Sequence, residues 1–267
     1  MRNVILQSVV PSSYEVRTIR SACMLLDGIT LKSCTLENLK DHEELLRAGY
    51  MPVGTVEFIR EAFDILGLQE PQNMSYPQQI QSYLCRNVRM MRAGSIIGRH
   101  FIKPVQTKAF TGFVFDTMDD PKNLDEFTRE QLIKFCSMHP DELIWESEPV
   151  QWLSEWRYYV AFGKIVGEAR YDQLDSDDAP IPNRDVVLHC INDLGLEHPY
   201  VLDFGVLSGG ETALVEANDF WAIGLYEKSM SSQDYLSLLN ARWSSILGQE
   251  FIPFERQQQN HQYQAEK

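Results

Sequence analysis

Between residues 1 and 70 the apolar positions switch between two periods. Short runs rich in branched side chains, 3-NVILQSVV-10 and 29-ITLKSC-34, predict strands, while 14-YEVRTIRSACMLLD-27 and 53-VGTVEFIREAFDILG-67 carry helical spacing. In the second helix Val56, Ile59, Phe63 and Leu66 make one apolar stripe, and Gly67 supplies the stop. This is the rhythm of a small α/β unit, with its first strand read as buried core and not as a leader peptide. The polar, proline-bearing stretch 69-QEPQNMSYPQ-78 closes it, which predicts a first domain over 1–74.

Helical spacing continues over 79–92, with Ile80, Leu84, Val88 and Met91 on one side and Arg86, Arg89 and Arg92 on a solvated face. Strands are expected at 99–105, 111–116, 143–147, 157–162, 165–171, 200–207 and 212–218, interrupted by helices at 125–137 and 183–195. Strands and helices mixed without strict alternation predict an α+β fold with largely antiparallel sheets over 75–252. Residues 253–267 have almost nothing to bury and are expected to form a disordered tail.

Composition narrows the partners. The 267 residues carry 24 Lys and Arg against 38 Asp and Glu, a net charge of −14, the wrong sign for a nucleic-acid footprint. The longest apolar run, 158-YYVAFGKIVG-167, falls short of the about 18 residues of a membrane span, so no membrane association is expected. Five cysteines, Cys23, Cys34, Cys85, Cys136 and Cys190, are scattered without zinc-type spacing, which predicts free thiols in a reducing, cytoplasmic compartment.

Two hairpins then point to chemistry. If Gly209-Gly210 is a two-residue turn in 200-YVLDFGVLSGGETALVEAN-218, Asp203 lies opposite Glu216, and Asn218 shares their face. Leu202, Phe204, Val206, Ala213, Val215 and Ala217 then point the other way. Opposed carboxylates call for a cation, and an oxygen-only set suits Mg²⁺ completed by phosphates and water; a solvated sheet face is the alternative. With Gly163-Lys164 as the turn of 155-EWRYYVAFGKIVGEARY-171, Arg157 opposes Arg170, and Tyr158, Val160, Phe162, Ile165, Ala169 and Tyr171 form the opposite face. Two guanidinium groups across a ladder call for an anion such as phosphate. Lys103 enters an apolar strand just before Pro104 and either meets an anion or snorkels to solvent. The loop after it carries Lys108, Thr111 and Gly112, which could cradle phosphate, but it lacks the order of a Walker P-loop.

Taken together, 101-FIKP-104, 145-WESEPV-150, 155-EWRYYVAFGKIVGEARY-171, Asp203 and 215-VEAND-219 resemble the ATP-grasp superfamily of carboxylate ligases over about residues 75 to 250. The resemblance implies two α+β subdomains whose antiparallel sheets sandwich ATP, preceded by the small α/β domain. It implies that Lys103, assisted by Lys108 and Thr111, meets the nucleotide phosphates, and that the hinge residues Glu146, Glu148 and Val150 lie at the adenine. Arg157 and Arg170 would meet the triphosphate and an acyl phosphate, and Asp203, Glu216 and Asn218 would bind Mg²⁺. The phosphate loop 105-VQTKAFTG-112 is less glycine-rich than that pattern, and Pro149 removes one hinge donor. The activity implied is ATP-dependent amide formation on a small-molecule, amino-acid or peptide substrate, in a monomer or a homodimer. A catalytically silent nucleotide-binding regulator and a phosphotransferase are the other activities such a chain could carry.

Overall fold

The structure, a computed structural model, describes residues 3–8, 14–106, 109–172 and 178–249. Of the expected features, Lys108, the end of the first strand, part of the loop 172–183 and the tail 253–267 lie outside them.

The N-terminal unit runs β1 (Val4–Gln7), α1 (Tyr14–Leu25), β2 (Leu31–Cys34), α2 (Glu43–Arg47), β3 (Met51–Val53) and α3 (Val56–Leu66). Its strands form a parallel sheet in the order β2-β1-β3. Thr55 caps α3 by accepting from the Phe58 amide, and Gly67 ends it at φ 68°. The sequence gives no period for β3, because three residues are too few to show one.

One expected helix is absent. Only a short 3₁₀ turn, Gln78–Tyr83, precedes Cys85 at φ 49°, and then β4 (Val88–Arg92) begins. Pairing overrides the local spacing: β4 lies antiparallel to β7 (Leu143–Ser147), which sets Arg89 against Glu146 and Arg92 against Leu143. With β5 (Arg99–Pro104) and β6 (Phe113–Asp116) these strands form an antiparallel sheet in the order β4-β7-β5-β6. The helix α4 (Glu126–Cys136) covers it, and Ile102, Phe113, Phe135 and Ile144 make the core between them.

The second antiparallel sheet has the order β11-β10-β8-β9, from β8 (Trp152–Ala161), β9 (Lys164–Arg170), β10 (Tyr200–Leu207) and β11 (Thr212–Asp219). On one face Tyr158, Leu202 and Phe204 pack with Val187 and Cys190 of α5 (Arg184–Leu194). On the other, Tyr159, Val201 and Phe220 join Ile5, Phe58, Phe63 and Trp243 in one core, so the N-terminal unit is continuous with this sheet. Trp243 belongs to α6 (Ser232–Ile246), which sequence periodicity missed because every residue from Tyr235 to Ser244 is buried and no polar face marks the helix. No helix among the described residues is long and apolar enough to cross a membrane.

Candidate functional site

The carboxylate hairpin has the expected pairing by a different route. Asp203 does face Glu216, but Leu207 N donates to Glu211 O at 2.9 Å around a three-residue loop, Ser208 to Gly210. That loop shifts the register by one residue, and a bulge at Val215 shifts it back: Phe204 faces Leu214 and Asp203 faces Glu216. Leu214, and not Val215, therefore joins Leu202 and Phe204 in the core. Val215 turns with Glu216 and Asn218 toward a cavity of about 950 Å³ between the two antiparallel sheets.

The arginine hairpin does not have the expected register. Its turn is Phe162-Gly163, both residues at positive φ (52° and 71°), as a type I′ turn demands, and a bulge follows at Val166. The net slip is one residue, so Arg157 faces Ala169 and Arg170 faces Trp156. A one-residue slip moves a side chain to the other face of the sheet. Arg170 is accordingly held by Asp172 at 2.6 Å and does not line the cavity, whereas Tyr171, expected on the apolar face, does.

The cations that the opposed carboxylates require come from the protein itself. Arg157 donates from Nε and Nη2 to the two oxygens of Asp203, at 2.8 Å each, with Asp203 only 1% exposed. Burial disfavours the Arg157 charge, but Asp203 outweighs it and raises the pKa. The guanidinium lies 5.0 Å from the Tyr226 ring centroid and 5.7 Å from that of Tyr171, and these rings stack on each other at 5.3 Å. Tyr171 Oη donates to Glu155, a cavity residue whose carboxyl is raised by burial.

Lys103, on β5 of the opposite sheet, forms an ion pair with Glu216 and donates to Ser75 Oγ at 3.1 Å. That contact ties the two sheets together across the cavity. Burial lowers the Lys103 pKa to about 8, ahead of the attraction of Asp203 and the repulsion of Arg86 and Arg157. Asp219, next to Asn218, is held by Arg242 at 2.5 Å.

Of the other expected site residues, Thr111, Glu148 and Val150 line the cavity. The Thr111 amide donates to buried Gln131 at 2.8 Å, and Glu148 accepts from the Asn87 amide at 3.0 Å. Glu146 does not line it: it pairs with Ile102 in the sheet, on the face turned away from Lys103, accepts from Arg89 and lies 2.7 Å from His100 Nδ1. Asp203 lies behind Arg157 and is likewise absent from the wall. Among the described residues no group of three His, Cys, Asp or Glu is set to hold a metal.

The sequence reading missed Arg86, which was assigned to a solvated helical face. It is a half-buried wall residue at the break before β4, and desolvation lowers its pKa. It also missed Glu155 and the aromatic pair Tyr171 and Tyr226: the bulge that turns Tyr171 to the cavity has no local signature, and Tyr226 lies in the loop after β11.

Residues 83–238, more than half of the chain, match the family model described as "ATP-grasp domain, R2K clade family 2". No curated protein matches the sequence significantly. Among solved structures the chain is similar to D-alanine–D-alanine ligase from Bacillus anthracis complexed with ATP, at 12% identity and a TM-score of 0.53, over 92% of this chain and 98% of that one. It is also similar to D-alanine–D-alanine ligase from Coxiella burnetii, at 10% identity and a TM-score of 0.49, over 99% and 100% of the two chains. For an L-amino acid ligase from Bacillus licheniformis the values are 11% identity, a TM-score of 0.49 and coverage of 92% and 74%. At 12% identity the first likeness is one of fold.

Proposed function

Because the chain belongs to family 2 of the R2K clade of ATP-grasp domains, we propose that it is an ATP-dependent carboxylate–amine ligase whose nucleotide occupies the cavity between its two antiparallel sheets. One observation carries this reading. Lys103 and Arg157, cations from opposite sheets, line a single cavity, and each is matched to a carboxylate of the β10–β11 hairpin.

The wall fits a nucleotide. Phe101, Val114, Val150 and Trp152 offer apolar surface to a base, and Lys103 and Arg157 offer charge to phosphates. Thr111 and Glu148 are the further nucleotide contacts in this reading. Of the oxygen-only set expected for Mg²⁺, Glu216 and Asn218 line the cavity and would hold the ion, with places left for phosphate oxygens and water, whereas Asp203 is held behind Arg157. When bound, Mg-ATP supplies the phosphoryl group that converts a carboxylate into an acyl phosphate.

The chain's own residues do the rest. Lys103 would exchange Glu216 for phosphate oxygens, which leaves Glu216 able to hold the metal, and Arg157, on the wall in front of Asp203, would offer its remaining N–H groups to phosphate. Their positive charge then opposes the negative charge that develops on the transferring phosphoryl group. No protein nucleophile is required, because the substrate carboxylate attacks; the amine then displaces phosphate and leaves an amide. In this division residues 75–252 hold the nucleotide. Residues 1–74, which contribute Val56 and Glu57 to the wall, face an amino-acid or peptide substrate.

The test incubates the purified chain with Mg-ATP and pools of amino acids and short peptides, following ADP by a coupled assay and new amides by mass spectrometry. ADP and an amide are expected together. Lys103→Met should lower both by roughly 100-fold or more, the scale for losing a charge-stabilising donor. ADP with no pool, or a phosphorylated product without an amide, contradicts the reading.

A further inference from the structure

β11 is an edge of its sheet, and an edge presents backbone groups that have no strand to pair with. The segment leading into β4 covers this edge. Ser75 O accepts from the Ala217 amide at 2.9 Å, while Arg86 donates from Nη1 to Leu214 O at 2.7 Å and from Nη2 to Val215 O at 2.9 Å.

The two carbonyls that Arg86 grips belong to the place where the β10–β11 register shifts. Phe204 faces Leu214, Asp203 faces Glu216, and Val215 is the extra residue between them. A bulge redirects the side chains of its strand, and here Val215 and Glu216, successive in sequence, both line the cavity. The position of the extra residue decides which way Glu216 points, because a slip of one residue would turn it to the opposite face.

Arg86 is itself built in. Nη1 also donates to Leu84 O at 3.0 Å, and its guanidinium lies 5.3 Å from the Trp152 ring centroid. The turn at Cys85, at φ 49°, brings the side chain to the strand edge. A guanidinium fork can bridge two adjacent carbonyls; an ammonium is a point donor and cannot hold that geometry.

We propose that Arg86 is a positioning residue that clamps the bulge at Val215 and so fixes the direction in which Glu216 and Asn218 meet metal-bound nucleotide. The assignment rests on the ligase reading, because that reading makes those two residues metal ligands.

The test compares wild type with Arg86→Met, which keeps an unbranched aliphatic stem but no donor, and Arg86→Lys, which keeps the charge but not the fork. ATP affinity is measured by calorimetry in Mg²⁺ and again in EDTA. General misfolding would weaken binding in both conditions, whereas a misdirected Glu216 weakens only the part that depends on metal. The ratio of the two affinities should fall by about tenfold or more in both variants, the scale for losing a partner that orients a metal ligand. Without nucleotide, hydrogen exchange of the 212–219 amides should rise by about tenfold in Arg86→Met as the bulge loosens. An unchanged affinity ratio in a folded variant, or unchanged exchange in that strand, overturns the assignment. Wild type that binds no nucleotide in either condition overturns the ligase reading instead, and the exchange measurement then decides the bulge clamp separately.

Discussion

Replacing Arg157 by Met should expose how much the fold depends on its central ion pair. The side chain keeps an unbranched apolar stem but loses the guanidinium beside Tyr171 and Tyr226, and Asp203, 1% exposed, loses the cation bonded to both its oxygens. Removing one partner of a buried pair costs about 3–5 kcal/mol, because the remaining charge stays out of water. For a chain of this size that lowers the melting temperature by roughly 6–20 °C, taking 2–4 °C per kcal/mol. Urea unfolding followed by circular dichroism measures the loss as a shift in midpoint at constant slope. The double variant Arg157→Met/Asp203→Asn should recover part of it, with a coupling of about 1–3 kcal/mol. A loss under about 1 kcal/mol, or single-variant losses that simply add, would refute the view that these residues compensate each other in a dry interior.

Two further outcomes follow from the perturbed groups. Since burial lowers the Lys103 pKa to about 8, ATP affinity should decline as pH rises through that value and the lysine loses its charge, and Lys103→Met should remove the break; a titration by calorimetry from pH 6 to 10 reads it. Glu155 is raised by burial, so the folded chain holds its proton more tightly than the unfolded chain does, and the charged form costs stability once pH exceeds the ordinary carboxylate range. Glu155→Gln, which keeps an acceptor for Tyr171, should therefore raise the unfolding midpoint at pH 7, and the advantage should disappear in acid.

Much of the fold was legible where periodicity and turn chemistry agree. The strand–helix rhythm of the N-terminal unit, the antiparallel hairpins and the opposition of Asp203 and Glu216 all follow from local pattern. That last pairing was reached through a two-residue turn, whereas the molecule uses a three-residue loop and a bulge whose shifts cancel. In the neighbouring hairpin the turn and bulge do not cancel, and Arg170 goes to the wrong face for a site residue. Bulges depend on contacts from elsewhere in the chain, such as Arg86 on Val215, and so leave no local signature. The helix expected over 79–92 failed for the same kind of reason: partners on β7 decided the conformation of Val88–Arg92. The helix α6, buried all round from Tyr235 to Ser244, carried no amphipathic stripe to detect.

In the ligase reading a substrate carboxylate attacks ATP within the cavity between the sheets. The most direct test of that reading supplies amino acids and peptides labelled with ¹⁸O in the carboxylate, together with Mg-ATP, and examines the released phosphate by ³¹P NMR. Passage through an acyl phosphate carries one labelled oxygen into inorganic phosphate, and that isotope-shifted signal is the expected result. Phosphate that forms at the same rate as ADP but carries no label would contradict the account.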